Sequence, residues 1–347
     1  MKQPFITIGI ASYNYAHFLQ RGFDAICRQG YKDYEILYCD DGSTDNSVQI
    51  IEGFIKENPD KSIRLIRGEN KGIIANKKRV IEHAKGVYIL LCDADDFMED
   101  DCLQQLAQAA KKTMADRIIG QYQILDSSGR LLRICDIANP SSKWLHFLWH
   151  GCLYRRQVFE RHPIDIPEDF MSDDYYLIAH YNLHCSSTEF VYKTIYNNVA
   201  HGKNATTVKN VNGDWKPTKN FEQILNYTYG HIYKNLQSGL DRQLVIYHVT
   251  KFYYQALLTI APLTGRKKLL RCYRQLKRQM EQKFTGYLHN PLLTFQKENY
   301  DRKYGRKGVY LMSRLEKMHL LYIALRIYHY MKFSFLLAQR QHKDEVC

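Results

Sequence analysis

The sequence predicts an α/β domain followed by a mainly helical extension, and three observations lead there. Through residues 1–120, apolar runs of strand length alternate with stretches of helical periodicity. Aspartate clusters fall directly after two of the apolar runs. The composition then changes near Asp214. Residues 1–214 hold 25 Lys and Arg against 28 Asp and Glu, whereas residues 215–347 hold 24 against 8. The formal charge of +13 therefore divides into −3 and +16.

Each element follows in order. Phe5–Ile10 reads as a buried strand and Phe18–Arg28 as a helix. Tyr34–Cys39 is a second strand, ending at Asp40-Asp41-Gly42-Ser43. Thr44 or Asp45 is expected to cap the next helix, whose Val48, Ile51, Phe54 and Ile55 keep helical spacing. Ile63–Ile66 is a third strand, and Gly72–Ala84 is a helix carrying Lys77, Lys78 and Arg79. Val87–Cys92 is a fourth strand, ending in Asp93-Ala94-Asp95-Asp96, and a helix follows over Asp101–Lys112. In open α/β sheets, ligands bind just past such strand ends. Residues 117–214 are mixed: a strand at Arg117–Leu125, a turn at Ser127–Gly129, an aromatic stretch at Trp144–Trp149 and a strand at Phe190–Tyr196. Beyond residue 215 the pattern is helical and Tyr-rich, with Pro262 and Gly265 separating two helices.

Several classes drop out. With 45% hydrophobic and 24% charged residues, the chain is neither disordered nor collagen-like. Nine cysteines form no C-x-x-C pair, which excludes a zinc cluster or thioredoxin-type site and fits free thiols in a reducing compartment. No G-x-G-x-x-G and no G-x-x-x-x-G-K-[ST] occurs, so dinucleotide-binding dehydrogenases and P-loop ATPases lose their signatures. The start, MKQPFITIGIASYN, lacks a long apolar core and cleavage site, so no signal peptide is expected, and no spanning helix either.

Asp93, Asp95 and Asp96 place three formal charges within four residues. Like charges so close repel unless a cation or hydrogen bonds compensate. After a buried strand, Mg²⁺ or Mn²⁺ with oxygen ligands is the natural compensator, and such a metal also holds substrate phosphates. The competing reading is that these aspartates cap the helix starting near Asp101.

Four stretches in order, Phe5–Asn14, Tyr34–Asp45, Asn70–Gly72 and Gly86–Asp96, resemble the nucleotide-sugar-binding half of a family 2 glycosyltransferase, the inverting, bacterial-polysaccharide type with a Rossmann-like GT-A fold. Gly151–Arg156 and Met171–Leu177 resemble the acceptor-side region of the same family. The resemblance implies a donor-binding half over residues 1–120 and an acceptor-side half over 121–214. It also implies a hexosyltransferase-type enzyme that moves a sugar from a nucleotide diphosphate, a UDP-sugar in this reading, to an acceptor hydroxyl. Residue by residue, it places Ala11, through its backbone, and Tyr13 and Asp41 at the nucleoside. Asp93 falls at the ribose or a metal-bound water, and Asp95 is the direct Mn²⁺ or Mg²⁺ ligand. Lys77 stands where the family usually has an Arg on the diphosphate. Asp174 is implied as general base, with Asp173 in the first acidic position beside it. His201 is implied at the diphosphate or metal.

The C-terminal region, 215–347, adds a basic amphipathic helix at Gly265–Lys283 and a long apolar, Tyr-rich helix over residues 309–339. Its charge favours an anionic membrane surface over nucleic acid, for which no binding module is present. The expected setting is cytoplasmic and peripheral on the inner face of the cell membrane. The acceptor would be a glycan or lipid-linked glycan, and homo-oligomers could form through the C-terminal helices. Two rival readings are a catalytically inactive membrane-bound scaffold and a sugar nucleotidyltransferase. The second would carry a Gly-rich loop after the first strand, where Ala11–Tyr15 has no Gly.

Overall fold

A computed structural model describes residues 3–135, 137, 144, 149–164, 173–201, 216–294 and 303–331. The chain divides into two compact units, Met1–Val208 and Lys209–Cys347.

The first unit is built on one nine-stranded sheet. Strands β1 (Ile6–Ser12), β2 (Tyr34–Asp40), β3 (Ile63–Arg67) and β4 (Tyr88–Asp93) run parallel in the order β3-β2-β1-β4. Every residue of β1 is buried, as expected for a parallel strand covered on both faces. Ile6, Ile8 and Ile10 join one core cluster with Phe23 of α1 (Leu19–Cys27) and Phe54 of α2 (Ser47–Glu57), whose rings stack at 4.0 Å. The opposite face of β1 presents Gly9 to Val80 of α3 (Ile73–His83). A Cβ on Gly9 would lie 2.2 Å from Val80 Cγ1, so glycine allows the helix this approach.

The sheet continues through β8 (Cys152–Arg155), β6 (Arg117–Asp126), β9 (Thr188–Ala200) and β5 (Phe97–Met98), with β7 (Leu131–Cys135) pairing with β6. β8 is antiparallel to both β4 and β6, while β9 runs parallel to β6. β9 is longer than the Phe190–Tyr196 strand predicted, and its register with β6 shifts near Gly120–Tyr122. The predicted cap of α2 also differs. Its first residue follows Asn46, and Asp45 accepts from the Ser47 amide at 2.9 Å and the Ala16 amide at 3.2 Å, tying the β1 loop to the helix start. Asp93–Asp96 do not cap the helix that follows. β5 intervenes, and α4 (Cys102–Thr113) starts after Asp101. Two further helices are described in this unit, α5 (Arg156–Arg161) and α6 (Asp173–His184). All eight described cysteines are free thiols.

The second unit is helical: α7 (Pro217–Tyr227), α8 (Gly239–Ile260), α9 (Arg266–Lys283) and α10 (Lys303–Lys317). A 3₁₀ turn at Ala261–Leu263 separates α8 from α9, where Pro262 and Gly265 were expected to act. Ser238 caps α8 by accepting from the Asp241 amide at 3.3 Å. The single helix predicted over 309–339 is broken. His319 takes a left-handed φ of 59°, and a second helical run, α11, covers 321–331. The remainder, 332–339, lies outside the described residues. No helix among the described residues is long and apolar enough to cross a membrane.

Candidate active site

Register brings the C-terminal ends of three parallel strands into line. Ala11 lies between Cys39 and Asp93, and Ser12 pairs with Asp40. Buried Asn76 of α3 fixes this ledge by donating to the Ser12 and Cys39 carbonyls at 3.3 and 2.8 Å. Gly42, at φ +75°, lets the chain turn while Asp40 accepts from the Gly42 and Ser43 amides. Ala11 is buried, and Tyr13 is 41% exposed. Asp41 is buried and accepts from the Gly72 amide at 2.8 Å and the Lys71 amide at 3.1 Å, at the entry to α3.

Directly after Asn76, Lys77 is buried at the centre of a charged cluster. Its Nζ lies 3.4 Å from Asp93 Oδ1 and 3.6 Å from Asp174 Oδ1, at the start of α6. The ammonium also sits over the ring of buried Trp149, whose Nε1 donates to Asp93 Oδ2 at 3.2 Å. His150 Nε2 is 3.4 Å from Asp93 Oδ2 and 3.6 Å from Asp96 Oδ2. Burial opposes the charge on Asp93, yet Lys77, His150 and the Trp149 N–H outweigh it and hold the carboxyl below the usual carboxylate range. His150 moves the other way: burial pulls it down, but Asp93 and Asp96 raise it above an ordinary imidazole.

The three aspartates have different surroundings. Asp96 is enclosed and accepts from the Val199 amide at 2.9 Å, Asn198 Nδ2 at 3.1 Å and the Tyr196 hydroxyl at 3.2 Å. Burial pushes it up to about 7. Asp95 pairs with His201 Nε2 at 2.9 Å, and His201 stacks on Phe18 at 4.3 Å. Burial first, and then Asp93, raise the Asp95 carboxyl. Asp93 faces both Lys77 and His150. The side chain of Asp173 lies outside the described residues, as do Gly202–Asn204.

Asp93, Asp96 and His150 place one potential ligand atom each within 4.8 Å of one another. Carboxylate oxygen with imidazole nitrogen is a donor set for Mn²⁺ more than for Mg²⁺. Asp96 is the weak member, because its lone pairs already accept three protein donors.

The structure thus brings Lys77, Asp93 and Asp174 together, and pairs Asp95 with His201. Ala11, Tyr13 and Asp41 lie along the ledge formed by β1 and β2. Sequence reasoning missed Trp149, His150 and Tyr196. Trp149 stood in the aromatic stretch, but nothing in its spacing connects it to Asp93.

A mixed sheet with an acidic turn at the switch between its β1 and β4 strands defines a GT-A-type sugar-nucleotide-binding domain. Residues 7–162 match the family model described as "Glycosyl transferase family 2". Among curated relatives, glycosyltransferase GlyG of Streptococcus pneumoniae is 36% identical over 124 residues, 35% of this chain and 40% of that protein. Chondroitin synthase of Pasteurella multocida is 27% identical over 250 residues, 65% of this chain and 24% of that protein. The chain therefore spans less than two thirds of either relative. Among solved structures, S. aureus TarS 1–349 in complex with UDP-GlcNAc aligns with a TM-score of 0.65 and 14% identity, covering 90% of this chain and 92% of that one. The mannosyltransferase PcManGT of Pyrobaculum calidifontis, in complex with GDP-Man and Mn²⁺, aligns at 0.55 and 13% identity, covering 91% and 88%. These likenesses establish the GT-A fold.

Proposed function

We propose that the protein is an inverting glycosyltransferase that moves a sugar from a UDP-sugar to a hydroxyl of a glycan or lipid-linked glycan. We place it at the cytoplasmic face of an anionic membrane. The observation that carries this reading is the single ammonium of Lys77 set between Asp93 of the strand-end turn and Asp174 of α6. One cation there serves two needs of the reaction at once: charge on the leaving diphosphate and a carboxylate near the acceptor.

In this reading Asp174 accepts the proton of the acceptor hydroxyl as its oxygen bonds to the anomeric carbon. The bond from that carbon to the diphosphate oxygen breaks on the opposite face, and the electron pair leaves with the diphosphate. Lys77 offsets the charge that develops there. Tyr13 stacks on the base, Asp41 lies beside it, and the Ala11 backbone borders the nucleoside. Asp93, Asp95 and His201 would hold the Mn²⁺ or Mg²⁺, and a bound ion neutralises diphosphate oxygens. Trp149 keeps Asp93 and Lys77 in register by holding one with its N–H and the other with its ring.

A thermal-shift screen of nucleotide sugars with Mn²⁺ tests the donor side, since a ligand that binds only the native state raises its apparent stability. A UDP-sugar is expected to raise the melting temperature in a Mn²⁺-dependent way. A screen in which no nucleotide sugar shifts it, with or without metal, overturns the reading.

A further inference from the structure

We infer that the outer face of α11 and the exposed cations of α9 form one surface that docks on an anionic lipid bilayer. The inference specifies the membrane part of the reading above and is independent of the donor chemistry.

Two observations within the helical unit meet here. On α11, Ile323, Ile327, Tyr330 and Met331 are all more than half exposed, at 54, 57, 58 and 69%. At about 100° per residue they share one apolar stripe, opposite the fully buried Leu321 and Leu325. The helix is therefore packed on one side and apolar on the other. On α9, Lys267, Arg271, Arg274 and Arg278 follow a 4-3-4 spacing, are exposed, and make no ion pair among the described residues.

The two stripes belong to neighbouring elements. Tyr322 of α11 donates to the Arg266 carbonyl at 3.2 Å and stacks on Tyr273 of α9. His329 contacts the Ala261 carbonyl at 2.6 Å, just before α9. An apolar row beside a cationic stripe suits a bilayer surface, where aliphatic side chains enter the headgroup boundary and Lys and Arg meet anionic lipid. Tyr330 adds an aromatic ring of the kind that settles at that boundary.

Charge selects among the occupants. Residues 215–347 carry 24 Lys and Arg against 8 Asp and Glu, so a second copy on this face would meet like charge. Nucleic acid would use the cations and leave the aliphatic row unexplained.

The test is co-sedimentation of the full chain with vesicles of phosphatidylcholine alone or mixed with phosphatidylglycerol. The wild type is expected to bind the mixed vesicles and to release as salt rises. Lys267→Glu with Arg271→Glu should lower that binding at least about 25-fold, about fivefold for each cation withdrawn. Ile323→Ser with Ile327→Ser should also lower it, whereas Ile323→Leu with Ile327→Leu should not. All the substituted positions are exposed, so unchanged circular dichroism is expected and separates lost docking from lost folding. A wild type that ignores both vesicles overturns the membrane reading itself. Wild-type binding that neither variant changes overturns this face and leaves the membrane reading standing. A stable dimer dissociated by Ile327→Ser assigns the face to a second copy and overturns the inference.

Discussion

Two buried carboxylate centres, one in each unit, show how differently a fold can treat the same chemical group. In the first unit Asp93 keeps 23% of its side chain open, and Asp174 across from it keeps 32%. They share the Lys77 ammonium, and two more aspartates crowd the same turn. In the helical unit Glu316 of α10 is fully enclosed. It accepts from the Tyr253 and Tyr254 hydroxyls of α8 at 3.0 and 2.9 Å, with Lys277 Nζ 3.9 Å away. The first centre has too many acids for its cations and a face open to something else. The second has one acid, a full shell and no opening. Excess charge with access marks a site, and satisfied charge without access marks a structural joint.

The sharpest way to break that contrast is to remove the charge from each centre. Asp174→Asn keeps shape and removes the base. Under the proposed mechanism it lowers turnover by about 10²–10⁴-fold with donor affinity unchanged, measured by steady-state transfer and calorimetry. Turnover within tenfold of wild type would remove Asp174 from the reaction. Glu316→Ala should do the reverse, leaving donor binding intact and lowering the stability of the helical unit. Two tyrosine hydroxyls would lose their acceptor and Lys277 its partner, an effect of about 3–5 kcal/mol in urea unfolding. A loss below about 1 kcal/mol would mean that Glu316 is not the joint described.

A smaller effect separates holding from reacting within the first centre. Trp149→Phe keeps a ring beneath Lys77 but removes the N–H that Asp93 accepts. We expect donor affinity in the presence of Mn²⁺ to weaken by roughly tenfold, the equivalent of about one lost hydrogen bond to a charged group. Unchanged affinity would show that Lys77 and His150 suffice to orient Asp93.

How much of this could be read beforehand depends on sequence distance. Asp93, Asp95 and Asp96 are contiguous, and strand ends are visible as apolar runs stopping at acids, so the turn and its place in the fold were legible. Lys77 was legible only through resemblance, because helical periodicity alone marks a cation on α3 as solvated. Trp149, His150 and Tyr196 reach the turn from 50 to 100 residues away. Their arrival depends on β8 and β9 joining the sheet beyond β4, and no local pattern states that pairing. The break in the predicted 309–339 helix was hidden for a related reason. Apolar spacing continues through Met318, His319 and Leu320, and the left-handed residue is a histidine, not the glycine that would announce a helix end. Glu316 carries no local signal of its role, since its tyrosine shell comes from α8, about 60 residues upstream.

The smallest effect is also the one that tests the contrast most directly, because it asks what proton each centre holds. Burial raises the Glu316 carboxyl above its ordinary 4.5, with the tyrosine hydroxyls and Lys277 opposing that shift. Between pH 4.5 and the raised folded value, the folded state keeps a proton that the unfolded state has released. The stability this contributes is fully present below pH 4.5 and is lost as pH rises through the folded value. Glu316→Gln removes the titration while keeping an oxygen for a tyrosine. The variant's unfolding free energy should decline less than the wild type's between pH 4.5 and neutrality in matched urea titrations. Asp93, held below the usual range by Lys77, His150 and Trp149, has the opposite sign: its contribution is present above the ordinary aspartate value and is lost as pH falls through the lower folded one. Wild-type and Gln curves that run parallel would show that the tyrosine shell stabilises Glu316 as a charged group. The two centres would then differ in access alone.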